Sequence, residues 1–251
     1  MDILEALSVD GGLVAAVGAG GKKSVLHAIA AAWPAGRGRL LMTATARCTP
    51  PPAGLLATVE GGDGQDLGRV LAGHPGARVF AAGPMRKPGR HEGLAAGAVP
   101  ALHADGRFAL TLVKADGARM RWVKAPAADE PALPPRVDLL LPVLSLRALG
   151  RPLDERSAHR PERIAALTGR PLGDPLTEAD YVALLTHPEA ALKSAGEARV
   201  VPVLNMAGDA ASRAAGERIA RAALAASGRI DRILVARLRD PARPWLAVVA
   251  R

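Results

Sequence analysis

Aromatic residues are scarce in this chain: three tryptophans, two phenylalanines and one tyrosine make up 2% of its 251 residues. The core must therefore be built from Leu, Val, Ile and Ala, and the stacking platforms that single-stranded nucleic acids use are missing. Basic residues outnumber acidic ones by 33 to 24, a net charge of +9, but the arginines are scattered. That balance gives solubility and a general attraction for anions rather than a nucleic-acid footprint. The single cysteine, Cys48, excludes an internal disulfide and is expected to be a buried thiol rather than a nucleophile. No apolar run reaches the roughly 18 residues of a membrane helix. The N-terminal MDILEALSVDGG lacks the basic start and apolar core of a signal peptide. These absences lead us to expect a cytoplasmic protein with neither a membrane nor a nucleic-acid partner. No CxxC, HExxH or clustered His/Asp set suggests a metal centre, and no GxSxG suggests a hydrolase elbow.

Lysine is also rare. Only Lys22, Lys23, Lys87, Lys114, Lys124 and Lys193 occur among the 33 basic residues, so two adjacent lysines in one glycine-rich loop stand out from the background.

Hydrophobic residues make up 49% of the chain and fall into short runs. LVAAV (13–17), RLLMT (39–43), RVFAAG (78–83), FALTLVKADG (108–117, strand then turn), VDLLLPVLSL (137–146), RVVPVLN (199–205), RIDRILVARL (229–238) and WLAVVA (245–250) read as strands. Pro142 predicts a strand end or a sheet edge. SVLHAIAAAW (24–33), PERIAALTG (161–169), TEADYVALLTHPEAAL (177–192, started by Thr177) and 208–228 (stopped by Gly228) read as helices. PPPAGLL through GGDGQD reads as turn-rich. Strands alternating with helices predict an α/β fold, a mostly parallel sheet with helices on both faces. We expect one domain over 1–251, and any subdivision would fall in the Pro-rich stretch near 131–135.

The stretch AVGAGGKKS (16–24) lies between the first strand and its helix. Gly18, Gly20 and Gly21 permit positive φ and close backbone approach. Successive amides can form an anion-binding nest, the helix adds its positive end, and Lys22 adds a point charge. A plain strand–helix turn would use the same glycines. A phosphate loop normally continues Gly-Lys-Ser/Thr, the hydroxyl holding Mg²⁺; here Lys23 intervenes and the hydroxyl arrives one place late, at Ser24. A dinucleotide GxGxxG fingerprint would need its third glycine where Lys23 stands.

Residues 112–162 carry VKADG (113–117), VKAP (123–126), EP (130–131), ALGRPLD (148–154) and HR (159–160). Together with VGAGGKKS (17–24), TATAR (43–47) and VPVLNMAGD (201–209), this pattern resembles the YqeC family, the selenium-dependent molybdenum hydroxylase accessory proteins. The resemblance implies a P-loop NTPase-like three-layer fold and an accessory role in maturing a molybdenum-containing hydroxylase. By the same resemblance, Gly18, Gly20, Gly21, Lys22, Lys23 and Ser24 line a nucleotide phosphate loop. Thr43, Thr45, Arg47 and Lys114 edge the cleft, Asp116 is the candidate metal-side or catalytic carboxylate, and Asn205 approaches a base. The implied ligand is a nucleoside triphosphate or phosphorylated small molecule, and the implied partners are the hydroxylase or its maturation proteins.

Three departures bear on chemistry. Lys23 replaces the hydroxyl, Lys114 replaces the family's Glu in VEADG, and Met206 replaces the Lys of LNKAD, with Asp209 displaced by one. Phosphoryl transfer relies on Mg²⁺ bridging phosphate oxygens, so the changes argue against efficient hydrolysis, against Mg²⁺ and against guanine specificity. Either Lys23 or Lys114 could stand in for the metal, as a compact charge with three donors. A pseudo-NTPase adaptor remains as the alternative. Asp154 and His159 are expected to be structural, Asp154 capping a turn and His159 beginning the 161–169 helix region. His27 is expected to be packed or surface-exposed, and Arg213 and Arg218 to form a solvated face.

Overall fold

The computed structural model describes residues 1–61, 66–239 and 245–251. Residues 62–65, part of the predicted turn-rich stretch, lie outside the described residues. The elements in chain order are α1 (Ile3–Leu7), β1 (Gly12–Gly18), α2 (Lys22–Ala32), β2 (Arg39–Ala44), β3 (Ala57–Glu60), α3 (Leu67–Gly73), β4 (Arg78–Ala82), α4 (Val99–Asp105), β5 (Phe108–Lys114), β6 (Val123–Lys124), β7 (Leu139–Ser145), β8 (Ala158–His159), α5 (Pro161–Thr168), α6 (Glu178–Thr186), β9 (Arg199–Val200), β10 (Val203–Asn205), α7 (Ala210–Ala226), β11 (Arg232–Arg237) and β12 (Trp245–Ala250).

Ten strands form one sheet in the order β12-β11-β10-β7-β1-β5-β2-β4-β3, with β9 also paired to β7. All ladders are parallel except β11–β12. The alternation of a strand divides the core. Leu13, Ala15 and Val17 of β1 pack with Ile164, Tyr181 and Ile219, from α5, α6 and α7, on one face. Val14 and Ala16 pack with Leu7, Val25 and Ile29, from α1 and α2, on the other. Because β1 is buried on both faces, it reads as a continuous apolar run. The chain is thus α/β with a mostly parallel sheet between helical layers, the three-layer arrangement expected.

Pro142 does not end a strand or mark an edge. It lies inside β7, between β1 and the β9/β10 strands. In a parallel strand, alternate residues direct their polar groups to the same neighbour. Leu140 O accepts from Val201 N, so the N–H that Pro142 lacks would face the same side. There the neighbouring chain is itself interrupted, between Val200 and Val203, at Pro202. The same interruption splits the expected 199–205 strand into two short ones.

Other boundaries shift for local reasons. The helix expected to run to 192 ends at Thr186, because His187 precedes Pro188 and takes an extended conformation, φ −73° and ψ 133°. α2 starts two residues early, since Gly21 is already its N-cap. The turn-rich segment contains an edge strand, β3, and α3 and α4 also went unread. Thr177 and Asp209 cap α6 and α7 through capping boxes.

Candidate functional site

Three residues, Ala19, Gly20 and Gly21, turn the chain from β1 into α2. Gly18, Gly20 and Gly21 have φ of +90°, +81° and +138°. Their lack of a Cβ is also a packing requirement: one on Gly20 would lie 2.7 Å from Trp122 O, and one on Gly21 would collide with the Asn205 amide. The loop is pinned from outside. Gly18 N donates to Asp116 Oδ2 at 2.8 Å, Ala19 N to Val143 O at 2.8 Å, and Asn205 Nδ2 to Gly20 O at 3.0 Å. Among the described residues, no acceptor takes the amides of Gly20 through Ser24. These are the uncapped first-turn donors of α2, and they sit at its positive end.

The Lys22 ammonium folds back onto Gly18 O and lies 2.8 Å from Asp116 Oδ1. Burial pushes its pKa below the usual lysine range, against the opposing pull of Asp116. The charge cluster then extends through residues of the motif block that were not among the expected site residues. The Lys124 ammonium lies 2.9 Å from Asp116 Oδ2, 2.7 Å from Glu130 Oε2 and 2.8 Å from Gly117 O. Arg160 grips Glu130 with two nitrogens, at 2.7 and 3.3 Å. Burial works to raise the Glu130 pKa, but hydrogen bonds from Arg160 and Lys124 prevail and bring it to about 2. ADG, KAP, EP and HR therefore converge. The parallel pair β6–β8 brings this about by setting Val123–Lys124 beside Ala158–His159.

The other lysines have different places. Lys114 points to the α2 side of the sheet, as Leu110 and Leu112 do, and donates to Arg47 O at 3.1 Å and Asp116 O at 2.7 Å. Burial first, then Lys22, lowers its pKa to about 8. Lys23 reaches Thr49 Oγ1. Both thus fasten the 47–49 segment beside the loop, and neither side chain meets the Asp116 carboxylate. Four of the chain's six lysines, Lys22, Lys23, Lys114 and Lys124, gather here.

Of the remaining predicted residues, Ser24 lies half-buried on the first turn of α2. Thr45 donates to Ala132 O at 2.6 Å, and Arg47 pairs with Glu92 at 2.9 Å. Thr43 is not brought to the loop. It is fully buried with no partner for its hydroxyl, and strand alternation turns it away from Met42 and Ala44, which pack on the α2 face. Asn205 is buried, with Nδ2 donating to Gly20 O and Oδ1 accepting from Leu238 N at 3.3 Å, so its amide braces the loop. Asp154 caps a turn through Arg156 N and Ser157 N, and His159 lies on β8. The His27 pKa falls to about 4 through burial. Cys48 is buried, and burial raises the pKa of its thiol. Arg213 and Arg218 pair with Glu217 and Glu178 on the surface. Sequence reasoning missed Lys124, Glu130 and Arg160 as site members. The signal was their shared motif block, whose assembly depends on tertiary pairing.

Beneath the loop, a cavity of about 20 Å³ is bounded by Gly18, Asp116, Lys124 and Leu184. It is far below the roughly 300 Å³ of a small-molecule pocket. Among the described residues no helix is long and apolar enough to cross a membrane.

A family model described as "YqeC protein" matches residues 14–162, which include the loop and the whole charge cluster. The chain is also similar to the "Uncharacterized protein YqeC" of Escherichia coli (strain K12). The two are 29% identical over 182 residues, covering 72% of this chain and 70% of that protein. The matched span covers more than half of the sequence, and the chain belongs to the YqeC family.

Proposed function

We propose that this chain binds a nucleoside triphosphate or a related phosphorylated ligand at the Gly18–Ser24 loop, and acts in the cytoplasm as an accessory protein in the maturation of a molybdenum-containing hydroxylase. One observation carries the binding reading: the amides of Gly20 through Ser24 have no acceptor among the described residues and open beside the Lys22 ammonium. Amides at a helix N-terminus next to a lysine suit phosphate oxygens. The hydroxylase reading rests on the resemblance to YqeC proteins carried by the 112–162 block. Hydrolysis is expected to be slow, because the carboxylate nearest the loop, Asp116, already faces two ammonium groups.

The test is a melting-temperature shift with ATP, GTP or inorganic pyrophosphate, together with co-purification of the full chain with a molybdenum hydroxylase. A concentration-dependent rise supports ligand binding. No shift with any of the three, combined with retention of the hydroxylase, would instead favour an adaptor that keeps the fold without a nucleotide. The same observation of a doubly paired Asp116 motivates that second reading.

A further inference from the structure

The P-loop pattern calls for a magnesium ion beside the phosphate loop, held by a loop hydroxyl and by a carboxylate on the neighbouring strand. The residues here do not fit that ion. Lys23 stands at the hydroxyl position and turns to Thr49. Asp116 is the carboxylate, at the end of the strand next to β1, and it is 2% exposed. Its Oδ1 faces Lys22, while its Oδ2 faces Lys124 and takes the Gly18 amide. Among the described residues no group of three or more His, Cys, Asp or Glu is set to hold a metal.

The surroundings of Lys124 explain what fills the role. Its ammonium, on a side chain 1% exposed, has three oxygens about it: Asp116 Oδ2 at 2.9 Å, Glu130 Oε2 at 2.7 Å and Gly117 O at 2.8 Å. Two carboxylates and a carbonyl form the donor set a hard cation takes. The distances, however, are those of ammonium hydrogen bonds, well beyond the roughly 2.1 Å that magnesium requires.

Resting on the phosphate-loop reading above, we infer that the Lys124 ammonium is the resident cation of this site, and that the chain takes its polyphosphate ligand free of metal. Lys124 is a positioning residue in this scheme. It neutralises Asp116 from one side, so that the Lys22 ammonium can leave Asp116 for a phosphate oxygen without stranding a buried carboxylate. The Lys22–Asp116 contact suits such a transfer, because Oδ1 is a close ion-pair partner yet has no aligned hydrogen bond. Lys23 and Lys114 hold the adjoining 47–49 segment instead.

The test is calorimetric titration of the full chain with ATP and with inorganic pyrophosphate, each in EDTA and in excess Mg²⁺. Wild-type affinity in EDTA should lie within about threefold of that in Mg²⁺. Lys124→Met, checked for folding by circular dichroism, should lose about tenfold or more in EDTA and recover part of it when Mg²⁺ is supplied. A purely structural role for Lys124 would not create a metal dependence. Wild-type binding that weakens tenfold or more in EDTA would overturn the inference while leaving the phosphate-loop reading intact, and so would a folded Lys124→Met that binds as the wild type does. Absence of binding under every condition would overturn both. If Lys124→Met fails to fold, the wild-type comparison alone decides.

Discussion

The Lys22 ammonium is held by the Gly18 carbonyl and the Asp116 carboxylate, and under the proposed function a phosphate would compete with them for it. Replacing Lys22 with alanine should weaken pyrophosphate or nucleotide binding by about 1.5–3 kcal/mol, the worth of a charge-assisted hydrogen bond; calorimetry showing unchanged affinity would mean that the loop is only a turn. Lys114 gives a separate prediction, in pH. Its folded pKa of about 8 lies below the ordinary 10.5, so between those values the unfolded chain binds more protons. Stability should therefore rise with pH across that window, and the cost of the buried charge is complete below pH 8. Lys114→Met should remove this slope, changing the wild-type-minus-variant difference by about 2–3 kcal/mol between pH 8 and 10.5 in denaturant titrations. The loop was legible in the sequence, because AVGAGGKKS sets three glycines and two of the chain's six lysines between an apolar run and a helical period. The direction of each ammonium was not, since it depends on which carbonyl or carboxylate the fold brings within 3 Å.

At the scale of elements, the loop is stiffened by what surrounds β7. Tyr181 of α6 donates its hydroxyl to Ser145 O, at the end of β7, and Ser145 N donates to Trp122 O at 3.0 Å, against Gly20. The aromatic poverty of the chain gives this lone tyrosine unusual weight. Tyr181→Phe keeps the ring but strands a buried carbonyl, and should cost about 1–2 kcal/mol in urea unfolding; a loss below a few tenths would show that Ser145 O finds another donor. Arg160 sits at the N-cap of α5 with φ of +63°, which is unfavourable for a residue with a Cβ. Its two-nitrogen grip on Glu130 holds it there. Helices and strands with clear periodicity were read correctly from the sequence, including the Thr177 start of α6. Short elements without clear periodicity, β3, α3 and α4, were missed, and one misreading depends on the neighbouring strand: Pro142 is accommodated because Pro202 has opened the ladder beside it.

Across the whole molecule, the Lys22–Asp116–Lys124–Glu130–Arg160 cluster ties α2, the end of β5, β6, the Pro-rich connection and the start of α5 together. Glu130 makes this assembly acid-sensitive. Its folded value of about 2 lies below the usual 4.5, so its stabilisation is fully present above about pH 4.5 and is lost as pH falls toward 2. Thermal melts should show wild type losing stability over that interval more steeply than Glu130→Gln, which is weaker at neutral pH but flatter in acid. Parallel curves would remove Glu130 from the cluster's energetics.

The sequence by itself determined the class of fold and the family: short apolar runs spaced by helical periods force a parallel sheet, and the motif letters are local strings. It also determined that a loop rich in glycine and lysine joins the first long strand to its helix. Only the tertiary structure decided what the motif letters do. Lys124, Glu130 and Arg160 are separated from Lys22 by 102, 108 and 138 positions, and no local rule relates them. They meet because β1 and β5 are neighbours in the sheet and β6 pairs with β8. A charge buried among such partners is set by their distance and by the exclusion of water, and both are properties of packing.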